Sequence, residues 1–204
     1  GVEVGSGVAG RVAGWGSGGV WRGWVGWWRR MGIMYLIRER FFAIGDDFDV
    51  LDENGTKVYR VDGKAFSVRD KLVIEDPDGN EVATVHRHLV ALRPTYEIRI
   101  GGEEAAEVRK KLFTPFRDKF TIDVPGHDDL TMKGDLLDHE YVIELDGDEV
   151  AAVSKRWLTV RDTYAVQLKS GVDPLLILCS VLALDLAMER EAEKHDKKQR
   201  DDEN

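Results

Sequence analysis

The chain is short of cysteine, of positive charge and of long apolar runs, and each shortage closes off a class of function. Cys179 is the only cysteine in 204 residues. No internal disulfide and no multi-cysteine zinc site can form, so nothing calls for an oxidising compartment. Lys plus Arg total 29 against 38 Asp plus Glu, a net charge of −9. That balance argues against coating nucleic acid or anionic lipid through bulk charge and leaves only a local basic patch open. A run of about 20 apolar residues is absent, so no transmembrane helix is expected. What is present, 43% hydrophobic and 33% charged residues, fits one soluble globular domain with a real core.

Tryptophan is unevenly placed. Five of the six (Trp15, Trp21, Trp24, Trp27 and Trp28) fall in the first 30 residues, which use only Gly, Val, Glu, Ser, Ala, Arg and Trp. A signal peptide carries positive charge first, then an apolar run, then a small-residue cleavage site. Here the charge comes last, at Arg29 and Arg30, and glycine interrupts every apolar stretch. Gly5-Ser-Gly7-Val-Ala-Gly10 matches the dinucleotide fingerprint but lacks the strand, helix and downstream acid that make a cofactor loop. No cofactor is expected. All seven residue types have G-rich codons, and Arg29-Arg30 is what a purine-rich ribosome-binding stretch would encode shortly before Met34. Residues 1–33 are therefore read as a start-site artefact, with Met34, or else Met31, as the first residue. The alternatives are a disordered Gly/Trp-rich tail and a Trp/Arg membrane-interface anchor. Removing Arg11, Arg22, Arg29 and Arg30 with Glu3 takes away a net +3, so the remainder moves from −9 to −12.

From Met34 the chain becomes a repeat. Short segments rich in Val, Ile, Phe and Tyr are separated by turn signals such as Asp52-Glu-Asn-Gly55 and Asp76-Pro-Asp-Gly79. Gly55, Gly79, Gly102 and Gly147 are each followed six residues later by valine, at Val61, Val85, Val108 and Val153. Two residues before each valine stand Tyr59, Ala83, Ala106 and Ala151, on the same strand face because side chains alternate. Arginine closes the units at Arg69, Arg93, Arg117 and Arg161. Gly126 opens a fifth, degenerate unit in which Met132 replaces the valine. Each unit is one hairpin, too short for a propeller blade. Five hairpins and a leading pair, Tyr35–Phe41 and Asp47–Leu51, make about twelve strands.

One helix follows, expected over 173–190. Asp173 suits the N-cap and Pro174 the first turn. Leu175 to Met188 is apolar on every face except Ser180 and Asp185, and a helix apolar all round belongs inside something. Fourteen residues make roughly 21 Å of helix, about the length of a strand of six or seven residues. A mainly β fold is therefore expected: a closed antiparallel barrel of about twelve strands, too wide for its own side chains to fill, with this helix along its axis. Residues 34–190 form that domain, and 191–204 read as a charged, disordered tail.

Arg38-Glu-Arg-Phe-Phe-Ala-Ile-Gly-Asp-Asp47, Gly63-Lys-Ala-Phe-Ser-Val-Arg-Asp-Lys71, Ser154-Lys-Arg156 with Arg161-Asp-Thr-Tyr164, and the Leu175–Asp185 helix resemble the LURP-one-related family. That family belongs to the Tubby C-terminal-like superfamily, with the phospholipid scramblases. The resemblance spans about residues 34–190 and implies a twelve-stranded barrel around a central C-terminal helix. It implies a binding or scaffold role more than an activity: Tubby proteins bind phosphoinositides and the scramblases are lipid-associated.

The candidates for chemistry are few. Arg109, Lys110, Lys111, Arg117 and Lys119, with Lys155, Arg156 and Arg161, form a patch for an anionic ligand if the units stack side by side; otherwise they are solvated strand faces. Asp185 is costly inside an apolar helix unless paired. It either accepts bonds from a wall Arg, Tyr or amide and fixes the helix register, or it transfers protons, which needs a second group that spacing does not supply. Cys179 reads as core filler. His86 and His88 share a strand face without a third metal ligand. His127-Asp-Asp129 and Asp138-His-Glu140 read as solvated turn residues. No catalytic pair, metal set or phosphate loop stands out. The expectation is a non-enzymatic, cytoplasmic binding or scaffold protein, peripheral to a membrane at most. Its partner is an anionic lipid headgroup or another protein, with no nucleic acid. The alternatives are a scramblase-like, membrane-tethered protein and an enzyme or small-ligand binder with a pocket near the helix. Mass spectrometry of the endogenous N-terminus should find Met34 or Met31 first, and a peptide spanning Trp15 to Trp28 would overturn the start-site reading.

Overall fold

The computed structural model describes residues 32–38, 47–63, 70–88, 95–111, 120–155 and 163–202. Twelve strands appear in chain order: β1 (Gly32–Arg38), β2 (Phe48–Asp52), β3 (Lys57–Asp62), β4 (Lys71–Glu75), β5 (Glu81–Arg87), β6 (Thr95–Ile100), β7 (Glu103–Lys110), β8 (Phe120–Asp123), β9 (Leu130–Asp135), β10 (Glu140–Leu145), β11 (Asp148–Ser154) and β12 (Thr163–Lys169). Each pairs antiparallel with the next, and β1 pairs with β12, so the sheet closes into a barrel with no free edge. The expected leading pair is present, with β1 shifted to start at Gly32 because Ile33 and Met34 pair with Leu168 and Gln167. Trp157 lies outside the described residues.

The hairpin repeat sets the barrel's two ends. Its five glycines take positive φ in tight turns that all fall at one end, here termed the turn side. At Gly79, φ is +86°, a left-handed value that side chains disfavour. Asp76 Oδ1 completes the turn by accepting from the amides of Asp78 and Asn80 at 3.0 and 2.9 Å, and Asp52 does the same for Asn54 and Thr56. In four of the five hairpins the register shifts by one residue just past the turn, beside Leu51, Glu75, Arg99 and Glu144. The extra residue is the third after each glycine: Val58, Val82, Ala105 and Val150. Such bulges raise local twist and help a sheet curl closed. No shift occurs between β8 and β9, the degenerate hairpin.

The helix fills the bore. We label it α1 (Pro174–Asp202). Asp173 Oδ1 accepts from the Leu175 amide at 2.9 Å as the N-cap, and α1 then enters from the turn side. Ile177 to Ala187 are buried on every face. Its axis lies nearest β5, β6 and β7, where Ala83 and Ala106 face inward with at most 2% exposure. Alanine at those positions lets the helix backbone approach the wall. Phe120 and Met132 are wholly buried and fill the wider gap at β8 and β9, so the degenerate unit's methionine is a packing device. Full burial of Leu178, Leu182, Leu184 and Leu186 in α1 contributes about 1.5–3 kcal/mol each.

The helix end corrects the expected 190 boundary. α1 runs to Asp202, roughly 18 Å beyond Arg190 at 1.5 Å per residue. High charge marks solvation here and not loss of helix, since 175–202 contains no Gly or Pro and is rich in good helix formers. If Ala106 sets the lane of the helix, Ala106→Leu should cost about 1–3 kcal/mol by overpacking. Urea denaturation would read this as a lowered midpoint, and an unchanged midpoint would refute it.

Candidate functional site

Asp185 sits in the last buried turn of α1, at the end of the barrel opposite the tight turns. Its side chain is 4% exposed. Tyr164 on β12 donates its hydroxyl to Oδ2, and His139 Nε2 lies 3.0 Å from Oδ1. The His139 ring stacks on Tyr164 with centroids 4.3 Å apart. Both carboxylate oxygens are therefore engaged by wall groups, which is how a buried charge becomes tolerable. The expectation of a wall tyrosine is met, and the histidine is the partner that sequence spacing missed.

Of Asp138-His-Glu140, read as solvated turn residues, Asp138 is exposed in the turn as expected, but His139 is not solvated. It ends the β9–β10 turn at φ +51°, a conformation that swings its ring inward, and its side chain is 12% exposed. Glu140 is engaged as well, accepting from Ser154 Oγ at 2.8 Å and the Lys155 amide at 3.0 Å. Next to them, Gly134 has φ +139°, and a Cβ there would meet the Glu140 carbonyl at 2.5 Å and Tyr141 Cα at 2.7 Å. Only glycine lets β9 lie this close to β10, which carries the buried Tyr141. The signal for His139 was Asp185 itself, whose charge demanded a partner.

One helical turn further on, charged residues form a collar where α1 leaves the barrel. Asp70, at φ +51°, takes Arg190 at 3.3 Å and Arg87 of β5 at 3.4 Å. Lys110 of β7 meets Glu191 at 2.7 Å.

The basic candidates divide. Arg109 pairs with Asp123 and lies 3.5 Å from Glu107, and Lys110 belongs to the collar. Lys111 is exposed and Lys155 half-buried; they follow β7 and β11, four strand spacings apart in the barrel wall, or roughly 19 Å along the sheet at about 4.8 Å per spacing. Arg117, Lys119, Arg156 and Arg161 lie outside the described residues. The turn side is the opposite in charge. Glu53, Asp78, Glu103, Glu104, Asp128, Asp129, Asp146 and Asp148 are all exposed there, alongside Lys57, paired with Asp49 at 2.8 Å, and Arg99, paired with Glu97; Asp135 and Asp138 are exposed at the Asp185 end.

The remaining candidates have ordinary settings. Cys179 is buried, and that burial pushes its thiol far above the usual range. His86 is exposed, and His88 Nε2 lies 3.2 Å from Glu97 and 3.9 Å from Glu107. His127, Asp128 and Asp129 are exposed turn residues, as expected. Among the described residues, no group of three or more His, Cys, Asp or Glu is arranged to hold a metal ion, and no helix is long and apolar enough to cross a membrane.

The Asp185 contacts generate a direct test. Asp185→Asn replaces charge-assisted acceptance with a neutral amide and should cost about 1.5–3 kcal/mol. Differential scanning calorimetry would read a lower Tm, and full retention of Tm would count against the register role.

Three comparisons bear on this architecture. The sequence profile described as LURP-one-related matches residues 33–185. The chain is 31% identical over 157 residues to "Uncharacterized protein YxjI" of Bacillus subtilis, covering 76% of this chain and 94% of that protein. It is 26% identical over 171 residues to "Protein LURP-one-related 15" of Arabidopsis thaliana, covering 74% of this chain and 78% of that protein. An X-ray structure of an Arabidopsis thaliana protein superposes with a TM-score of 0.56 at 21% identity, covering 76% of this chain and 90% of that one. With the barrel, the enclosed helix and the family profile in agreement, the chain belongs to the LURP-one-related family.

Proposed function

We propose that this protein is a binding protein and not an enzyme, and that it holds anionic lipid headgroups at the end of the barrel where α1 emerges. The observation that carries this reading is the segregation of charge along the barrel axis. Exposed acids crowd the turn side, whereas the repeat arginines Arg69, Arg93, Arg117 and Arg161 belong to segments that join strand ends at the other side. One hairpin per unit accounts for this, because four of the five units carry an acidic turn in one connection and an arginine in the next; the Gly126 unit has no such arginine. A chain of net charge −9 then carries a field that repels an anionic surface from one end and draws it to the other.

The paired state of Arg109 and Lys110 narrows the patch to Lys111, Arg117, Lys119, Lys155, Arg156 and Arg161. The polar groups inside the barrel support the same reading from another direction. Asp185, the acid within the bore, is spent on Tyr164 and His139, and α1 is clamped at its exit by Asp70 and Lys110.

Vesicle flotation at low salt would test this. The full chain should float with phosphatidylcholine vesicles containing phosphatidylserine and not with phosphatidylcholine alone. An Arg117→Glu/Arg161→Glu double variant should lose that flotation, whereas Glu103→Gln on the turn side should keep it. No flotation on anionic vesicles at low salt would overturn the reading.

A further inference from the structure

The β2–β3 turn carries a reactive pair, Asn54-Gly55, that has no part in the proposed binding. Of the chain's three asparagines, only Asn54 is followed by glycine. Such a pair is where a backbone nitrogen most readily attacks the preceding side-chain amide, because glycine has no Cβ to shield it. Both residues are exposed. A Cβ at Gly55 would meet nothing within 4 Å, so that side of the residue is open to solvent. The Gly55 amide donates to the Asp52 carbonyl at 3.0 Å, and a bond in an exposed turn is among the first that a folded chain opens. Asn80 is placed differently. Its Nδ2 donates to Asp76 Oδ2 at 2.9 Å, and the nitrogen that would attack it belongs to Glu81, which has a side chain.

We propose that Asn54 is a site of spontaneous deamidation through a cyclic imide formed with Gly55. The Gly55 nitrogen gives its proton to hydroxide and bonds to the side-chain carbonyl carbon of Asn54. The bond from that carbon to the amide nitrogen breaks, and ammonia leaves with a proton taken from water. A second water opens the imide at either carbonyl, leaving aspartate or isoaspartate at position 54. Aspartate fits there: the next repeat turn, Asp76-Pro-Asp-Gly79, carries Asp78 at the equivalent position and makes the same amide bonds to Asp76. Isoaspartate does not fit, since it adds a methylene to the backbone of a turn held by Asp52. Asp62, Asp78 and Asp146 also precede glycine, but an ionised carboxylate is a poor electrophile above neutral pH.

Incubation of the full chain at mildly alkaline pH, followed by ion-exchange chromatography and peptide mapping, tests this. A more acidic species should accumulate, with its modification mapping to residue 54 as aspartate and isoaspartate. Asn54→Gln should abolish that species, because the longer side chain must close a larger and less favourable ring. Guanidinium chloride should speed the conversion by releasing the Gly55 amide from Asp52. Asn54 left intact in the native chain, even if the unfolded chain converts, would overturn the proposal. So would the same acidic species arising in Asn54→Gln, or isoaspartate at Asp78 or Asp146 with none at residue 54.

Discussion

A barrel of twelve strands has a bore too wide for inward side chains to close, and the rest of this molecule follows from filling it with a helix. The requirement explains why α1 is apolar on every face over Ile177–Ala187, which no surface helix would be. It also bears on the size of particular wall residues. Ala83 and Ala106 stand where α1 comes close, and Phe120 and Met132 where it does not. The irregular fifth hairpin is thus the wide side of an off-centre core.

An apolar cylinder inside an apolar tube can rotate and slide with little change in contact energy, since dispersion and burial are not directional. Directional contacts must therefore fix the register. Two sets do so at separate heights: Asp185 bonded to Tyr164 and His139, and the Asp70–Arg190 and Lys110–Glu191 pairs at the exit. The Asp185 set is enclosed, so breaking it strands Tyr164 and His139 along with the carboxylate. The exit pairs are more exposed and contribute less.

The strand count, the turn end, the closed barrel and the plug were legible because each leaves a periodic mark: glycine at each turn, alternation along each strand, and apolarity all round the helix. The bulges left none. Val58, Val82, Ala105 and Val150 are apolar residues in alternating strands, and one extra residue shifts only the pairing, which sequence does not display. His139 was hidden for another reason. Its contact spans 46 residues and depends on a single left-handed residue at a turn of Asp and Leu, a place where solvated polar groups are the ordinary outcome. The patch was overdrawn because Arg109 and Lys110 looked free until β8 and α1 brought Asp123 and Glu191 beside them.

The hairpin repeat links the fold to the proposed function. Antiparallel closure sends every odd connection to one end and every even connection to the other, so a feature repeated once per hairpin accumulates at a single end. Acidic turn formers suit tight turns because their carboxylates accept from turn amides, as Asp52 and Asp76 do. A repeat that turns with Asp therefore makes that end acidic as a by-product of folding, whatever the protein binds. The unit's arginine has no such local duty in the turn. Its recurrence in four of the five units is not forced by turn chemistry.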